Sequence, residues 1–149
     1  MWDHKKSLRL SQVVTALVAL AVVAALAGGP WLVNELISVS PSVSLSQFWL
    51  FIATLYSGGV LALAMLLFLF LVLCNLAQGQ VFEQKNVRLL RGLSWCCFLG
   101  AAISAVSGLY YLPWLVVALA AGFVGLIVRV VKNMLAEAIV LKEENDLTV

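Results

Sequence analysis

Long uninterrupted apolar runs dominate the chain. Four of them, at about 10–28, 48–76, 89–110 and 112–132, are each long enough to cross a roughly 30 Å hydrocarbon core as a helix. They are continuous rather than alternating, which disfavours a transmembrane β-barrel. The pattern therefore predicts an all-α integral membrane protein, a single membrane domain over 1–149 that forms a four-transmembrane-helix bundle.

Composition supports membrane insertion. Of the 149 residues, 64% are hydrophobic and only 11% are charged, whereas soluble domains have about 45–50% apolar and about 25% charged residues. So few charged side chains cannot cover a water-facing surface. These proportions exclude a soluble enzyme, a secreted disulfide scaffold and a disordered chain.

The positions of the basic residues predict the orientation. They form three groups, before the first span, between the second and third, and after the fourth. They are Lys5, Lys6, Arg9, Lys85, Arg88, Arg91, Arg129, Lys132 and Lys142. The connections at 29–47 and 110–113 contain no lysine or arginine. The positive-inside rule therefore predicts a multi-pass protein of the bacterial inner membrane with both termini in the cytoplasm.

The first span has a second interpretation. A basic start, an apolar run and Ala25-Leu26-Ala27 before Gly28 resemble a secretory signal with its cleavage site. Cleavage there would leave three spans, and the sequence keeps both interpretations open. In either case Gly28-Gly29-Pro30 should end the first helix, and 31–37, which begins with a tryptophan, should form a short interfacial segment.

The fourth span is expected to continue beyond the membrane. No glycine or proline interrupts 126–146, which predicts a cytoplasmic extension of the fourth helix over about 129–146. Its apolar positions form a stripe that should dock on the 78–88 loop, on lipid headgroups or on a partner. The stripe and its adjoining positions are Val131, Met134, Leu135, Ala138 and Leu141.

Small residues recur at helical spacing in the spans, which favours close helix packing in a membrane. The candidate packing residues are Gly58, Gly100, Ser104, Gly108, Gly122 and Gly125. The same residues could form the seam of a homo-oligomer. Asn75 and Asn86, which flank the loop between the second and third spans, are expected to cap helix ends or to bond across helices.

The sequence offers little catalytic chemistry. The single histidine, His4, has no companion metal ligands, and there is no phosphate-binding glycine loop or nucleophile elbow. No acidic or basic residue lies deep inside a span, which argues against a proton pump or an ion channel. We expect no enzymatic activity, no cofactor and no metal. Cys74, Cys96 and Cys97 are expected to be packing residues, with a redox or metal pair as the alternative.

Two stretches go beyond generic membrane sequence, GQVFEQKNVRLLR at 79–91 and GLIVRVVKN at 125–133, the second continued by KEENDLTV at 142–149. Together they resemble the YoaS-like family of small bacterial membrane proteins, a family of unknown function. The resemblance implies four spans and a cytoplasmic C-terminus. It also implies a gene beside that of a very small helix-turn-helix regulator, and no catalytic residues.

The sequence and this resemblance together predict a regulatory membrane protein that binds or modulates a cytoplasmic partner. The resemblance implies that the partner is a small helix-turn-helix regulator, and we expect the protein itself not to contact nucleic acid. The expected partner-binding residues are Lys85, Arg88, Arg91, Arg129, Lys132, Glu143, Glu144 and Asp146. The basic members of this set should also contact the headgroups of the lipid bilayer. The alternative is a small-molecule or lipid-binding protein, or a minor transporter, with a cavity inside the bundle.

Overall fold

The structure, a computed structural model, describes residues 4–40 and 43–148, and all regular elements in that part of the chain are helical. The side chains of His4 and Lys5, and residue Val149, lie outside it. The helices are α1 His4–Ala27, α2 Gly29–Val39, a short 3-10 helix Leu45–Gln47, α3 Phe48–Ala77, α4 Gln84–Ser107 and α5 Pro113–Leu147. Four of them, α1, α3, α4 and α5, are long and apolar enough to cross a membrane. The predicted all-α, four-span membrane fold is confirmed.

One helix begins earlier than predicted, and another is continuous as predicted. α4 begins at Gln84 rather than near residue 89, because the polar turn at 84–88 is helical and buries Val87. A hydropathy window misses this turn because it lies outside the apolar run. α5 is one unbroken helix of 35 residues, about 52 Å at 1.5 Å per residue. This confirms that the fourth span continues as a helical extension.

The first helix ends where the sequence predicts. Gly28 leaves helical geometry at φ −88° and ψ 9°, and Pro30 lies in the first turn of α2, where proline needs no hydrogen-bond donor. The expected interfacial segment is the helix α2. Its Val33 packs with Val43 and Phe51, while Trp31 stays 67% exposed. α2 therefore lies against the start of α3 with its tryptophan outward.

Hydroxyl groups and aromatic rings join α3 to the end of α4. The Thr54 hydroxyl forms hydrogen bonds with the hydroxyls of Ser107 (2.7 Å) and Tyr110 (2.6 Å). The Phe51 ring meets the rings of Tyr110 and Tyr111 edge to face, at centroid distances of 5.1 and 5.4 Å. Because these polar groups satisfy one another inside the bundle, this end is closed by internal contacts.

The long helices pack mainly in chain order, α1 on α3, α3 on α4 and α4 on α5, and the α4–α5 pair is the most extensive. α1 is attached to α3 by the Tyr56 hydroxyl, which donates to the Leu26 carbonyl at 3.0 Å, and by Gln12, whose amide lies 3.6 Å from Cys74 Sγ. α4 is therefore enclosed from both sides, and large apolar side chains of α1 and α5 face outward, where lipid is their solvent.

Candidate functional site at the basic end of the bundle

The turn between α3 and α4 is built by a helix-ending motif. Gly79 has φ +78°, a left-handed conformation that glycine adopts without strain. The Gly79 amide donates to the Leu76 carbonyl (3.1 Å), and the Gln80 amide donates to the Asn75 carbonyl (3.0 Å). This pair of bonds is the Schellman pattern, which satisfies the last carbonyls of a helix. The loop therefore leaves α3 in one defined direction.

Asn86, on the first turn of α4, holds this loop closed. Its side chain is fully buried. It accepts a hydrogen bond from the Asn75 amide (2.7 Å) and donates to the carbonyls of Gln80 (2.6 Å) and Val81 (3.1 Å). The expectation that Asn75 and Asn86 bond across helices is confirmed. One side chain thus joins α3, the loop and α4.

The extension of α5 lies against this loop. Leu135 packs on the apolar cluster of Val72, Leu90 and Leu93, and Ile139 is only 3% exposed. One turn further, the Lys142 ammonium lies 5.4 Å from the centroid of the Phe82 ring in the loop, a cation–π distance. The extension therefore docks on α3 and α4 through Leu135. Through Lys142 it also contacts the 78–88 loop, one of the three docking surfaces that the sequence leaves open.

The predicted docking stripe is correct only in part, because Leu135 and Ala138 are half-buried while its other positions are exposed. The covered side of the extension contains Leu135 and Ile139, at the i, i+4 spacing of one helix face. Val131, Met134 and Leu141 are 48%, 65% and 60% exposed. The amphipathic pattern contained two neighbouring apolar stripes, and the chain covers the one that includes Ile139. The other stripe stays uncovered along the extension.

The structure divides the eight expected partner-binding residues into three groups. Lys85 and Arg88 are exposed on the first turns of α4. Arg91, Arg129 and Lys132 line one cleft between α4 and α5. Glu143, Glu144 and Asp146 are exposed near the end of α5. These residues do not form one continuous surface, because the α5 extension separates the acidic end from the cationic cleft.

Of the six expected packing residues, four lie at helix contacts. Ser104 is buried, and a Cβ atom added at Gly125 would lie 3.0 Å from the Cβ atom of Cys97. Gly122 lies opposite Ala101 at ordinary contact distance, and Gly108 packs against Leu115. Gly58 and Gly100 differ from the expectation, because a Cβ atom added at either position would meet nothing within 4 Å.

Gly58 and Gly100 instead border a groove of about 370 Å³ between α1, α3, α4 and α5. Its lining is mostly aliphatic. The Thr54 hydroxyl that reaches it is bonded to Ser107 and Tyr110, whereas the buried indole N–H of Trp114, which also lines it, has no hydrogen-bond partner among the described residues. A small-molecule binder would need a few convergent polar groups in such a cavity. The mostly aliphatic lining suits the acyl chain of a lipid.

Two of the three cysteines contact different helices. All three are free thiols; Cys97 packs against Gly125 of α5, whereas Cys74 accepts the hydrogen bond from Gln12 of α1. Among the side chains that the structure describes, which exclude that of His4, no three of histidine, cysteine, aspartate or glutamate come together as a metal site.

Sequence analysis missed several residues of this end, namely Phe82, Ser94, Trp95, Phe98 and Ile139. Helical spacing in the sequence could have indicated two of them. Trp95 follows Arg91 by one helical turn, and Ile139 follows Leu135 by one turn, so each pair shares a helix face. Phe82 offers no such pattern, because its neighbour Lys142 is distant in sequence.

A comparison with protein-family models matches residues 31–149 to the family described as "Protein of unknown function (DUF2975)". The chain belongs to this family. The DUF2975 region includes most of α2 and all of α3, α4 and α5, and therefore the whole basic end, whereas α1 precedes it. No curated protein and no solved structure matches the chain.

Proposed function

We propose that this DUF2975 protein is a non-enzymatic regulatory protein of the bacterial inner membrane whose basic end faces the cytoplasm and binds a small helix-turn-helix regulator. The observation that supports this proposal is the α5 extension, an ordered helix with one side docked and the opposite side uncovered. A helix held by Ile139 and Lys142 presents its other surface at a constant position, which lowers the entropy cost of binding.

The chemistry of the uncovered side suggests the kind of partner. Met134 and Leu141 are exposed, and Glu137 and Glu144 lie on the same side at three- and four-residue spacing. Leu141 lies about 14 Å along the helix axis beyond Lys132, clear of the depth at which the cations meet the headgroups. An apolar strip flanked by carboxylates favours a partner with an apolar patch and a basic rim. DNA-binding domains have such basic surfaces.

The topology has a direct test. Because all nine basic residues lie at one end, the positive-inside rule predicts that this end is cytoplasmic. A periplasm-active reporter fused after Ser44 should be active and one fused after Val149 inactive, and the reverse should hold for a cytoplasm-active reporter. Cytoplasmic activity after Ser44 would reverse the orientation and place the α5 extension on the wrong side for a regulator.

Neutralising the acidic end of α5 should weaken partner capture. The triple variant Glu143→Gln, Glu144→Gln, Asp146→Asn removes three exposed charges, each contributing up to about 1 kcal/mol to a rim ion pair, so we expect roughly tenfold weaker binding. Deletion of residues 143–149 should abolish capture. The measurement is co-purification in mild detergent with the helix-turn-helix regulator that the family resemblance predicts beside the gene, followed by titration of that regulator.

Glu35→Gln, which neutralises an exposed carboxylate at the opposite end of the bundle, is the matched control and should bind normally. Met134→Ser with Leu141→Ser removes apolar area without changing charge and should also weaken binding. If the truncated protein captures the regulator as well as the full chain does, the acidic end of α5 is not the binding surface and the proposal loses its support.

A further inference from the structure

Three cationic side chains line one cleft between α4 and α5. The cleft has a volume of about 170 Å³ and is lined by Arg91, Ser94, Trp95, Phe98, Arg129 and Lys132. It contains no carboxylate. Like charges gathered from two helices repel one another unless an anion lies between them. The composition of the cleft therefore favours a negatively charged ligand.

Close packing of the two helices produces the cleft. Gly125 has no side chain, so α5 approaches α4 closely enough for the Ser94 hydroxyl to donate to the Gly125 carbonyl at 3.1 Å. Ser94 is 5% exposed, and its bond joins the two helices at the cleft. The long side chains of Arg91 and Arg129 flank this contact from opposite helices. The packed contact between α4 and α5 therefore forms the floor of the cleft, and a cation from each helix lies beside it.

The cleft lies where the uncharged run of α5 ends, which is the level expected for lipid headgroups. Arg129 is the first charged residue after the uncharged run that begins at Pro113. Trp95, one turn along α4 from Arg91 towards the apolar segment, is 61% exposed, and tryptophan prefers the membrane interface. The cleft therefore combines cations at phosphate depth with aromatic rings where the acyl chains begin.

We propose that this cleft binds the phosphate group of an anionic phospholipid of the same leaflet. Arg91 and Arg129 supply planar guanidinium groups that can each bind two phosphate oxygens, and Lys132 adds a point charge. Trp95 and Phe98 contact the acyl chains of that lipid next to its headgroup. This inference does not rest on the proposed regulator, because the site lies at the membrane surface and uses none of the acidic residues of α5.

The test measures lipid-dependent stability of the full chain in a neutral detergent. Phosphatidylglycerol added to the micelles should raise the melting temperature, and phosphatidylcholine should not. Arg91→Gln, Arg129→Gln and Lys132→Gln should each weaken the apparent affinity for phosphatidylglycerol about fivefold, the factor expected for about 1 kcal/mol per juxtamembrane cation. Arg91→Lys, which keeps the charge but not the planar fork, should fall between Arg91→Gln and the natural protein.

Lys6→Gln is the control, because it removes one exposed positive charge outside the cleft, and it should bind phosphatidylglycerol normally. An equal loss in Lys6→Gln would show a diffuse charge effect and overturn the site. An equal stabilisation by inorganic phosphate, lost in Arg129→Gln, would identify a soluble ligand and overturn the lipid assignment. If one glutamine variant has a lowered melting temperature without lipid, the response of Arg91→Lys and of the other single variants to phosphatidylglycerol tests the site.

Discussion

Replacing Asn86 with leucine is expected to destabilise the protein by about 2–4 kcal/mol and to loosen the loop between α3 and α4. Asn86 is fully buried and makes three hydrogen bonds, to the Asn75 side chain and to the carbonyls of Gln80 and Val81. Leucine leaves the amide of Asn75 and both carbonyls without this partner, at about 1–3 kcal/mol for each group that water cannot reach. Gln80 and Val81 are half-buried, so water recovers part of the loss.

The measurements are thermal unfolding in detergent and hydrogen exchange of the 79–86 amides. Exchange should accelerate in this loop more than in α1, because α1 does not depend on Asn86. Asn86→Asp tests the direction of the bonds: it keeps the acceptor for Asn75 but turns a carboxylate oxygen towards two carbonyls, so it should be nearly as harmful. Asn133→Leu, at an exposed asparagine of α5, should have little effect. If Asn86→Leu melts like the natural protein, the network does not hold the loop.

The second large effect is expected at the contact between α4 and α5. A Cβ atom added at Gly125 would lie 3.0 Å from Cys97 Cβ and 3.2 Å from the Phe98 ring. Cys97 Cβ is attached directly to the α4 backbone and cannot rotate away, so Gly125→Ala must separate the helices or shift them. We expect a loss of about 1–3 kcal/mol, the usual cost of overpacking, and a longer bond from Ser94 to the Gly125 carbonyl.

Gly100→Ala is the matched control. It makes the same substitution in the neighbouring span, but its added Cβ atom meets no atom within 4 Å. Alanine favours helix over glycine by up to about 1 kcal/mol, so this variant should be neutral or slightly stabilising. Gly125→Ala should therefore lower the melting temperature, while Gly100→Ala should leave it unchanged or raise it slightly. Equal effects would mean that helix propensity, rather than the close contact, governs both positions.

The sequence predicted the elements of this protein well but its contacts unevenly. The spans, the break at Gly28 and the unbroken α5 follow from local rules: lipid demands long apolar helices, proline blocks a helix interior, and an uninterrupted run stays helical. The bond between Asn75 and Asn86 was also predictable, because two polar residues that flank one loop have few other partners. Gly58 and Gly100 were misplaced, because glycine spacing alone does not tell which side of a helix meets another helix.

The sequence did not determine which side of the amphipathic α5 extension is covered. Its pattern contained both stripes, one with Ile139 and one with Met134 and Leu141, and both are compatible with a helix that has an apolar side. Only the docking of α5 on Phe82 and on α4 decided which stripe is covered. This choice depends on how the helices are rotated against each other, and helical periodicity does not contain that angle.

The sequence by itself determined that this is a helical membrane protein with four spans, a basic end and a continuous fourth helix. These properties depend on length, polarity and charge along a single helix, and the bilayer acts on each helix in the same way. The tertiary structure alone decided that Asn86 holds the loop, that Ile139 docks the extension and that Arg91, Arg129 and Lys132 share one cleft. Each of these needs residues from different helices to meet, and the small residues at the α4–α5 contact set how closely those helices approach.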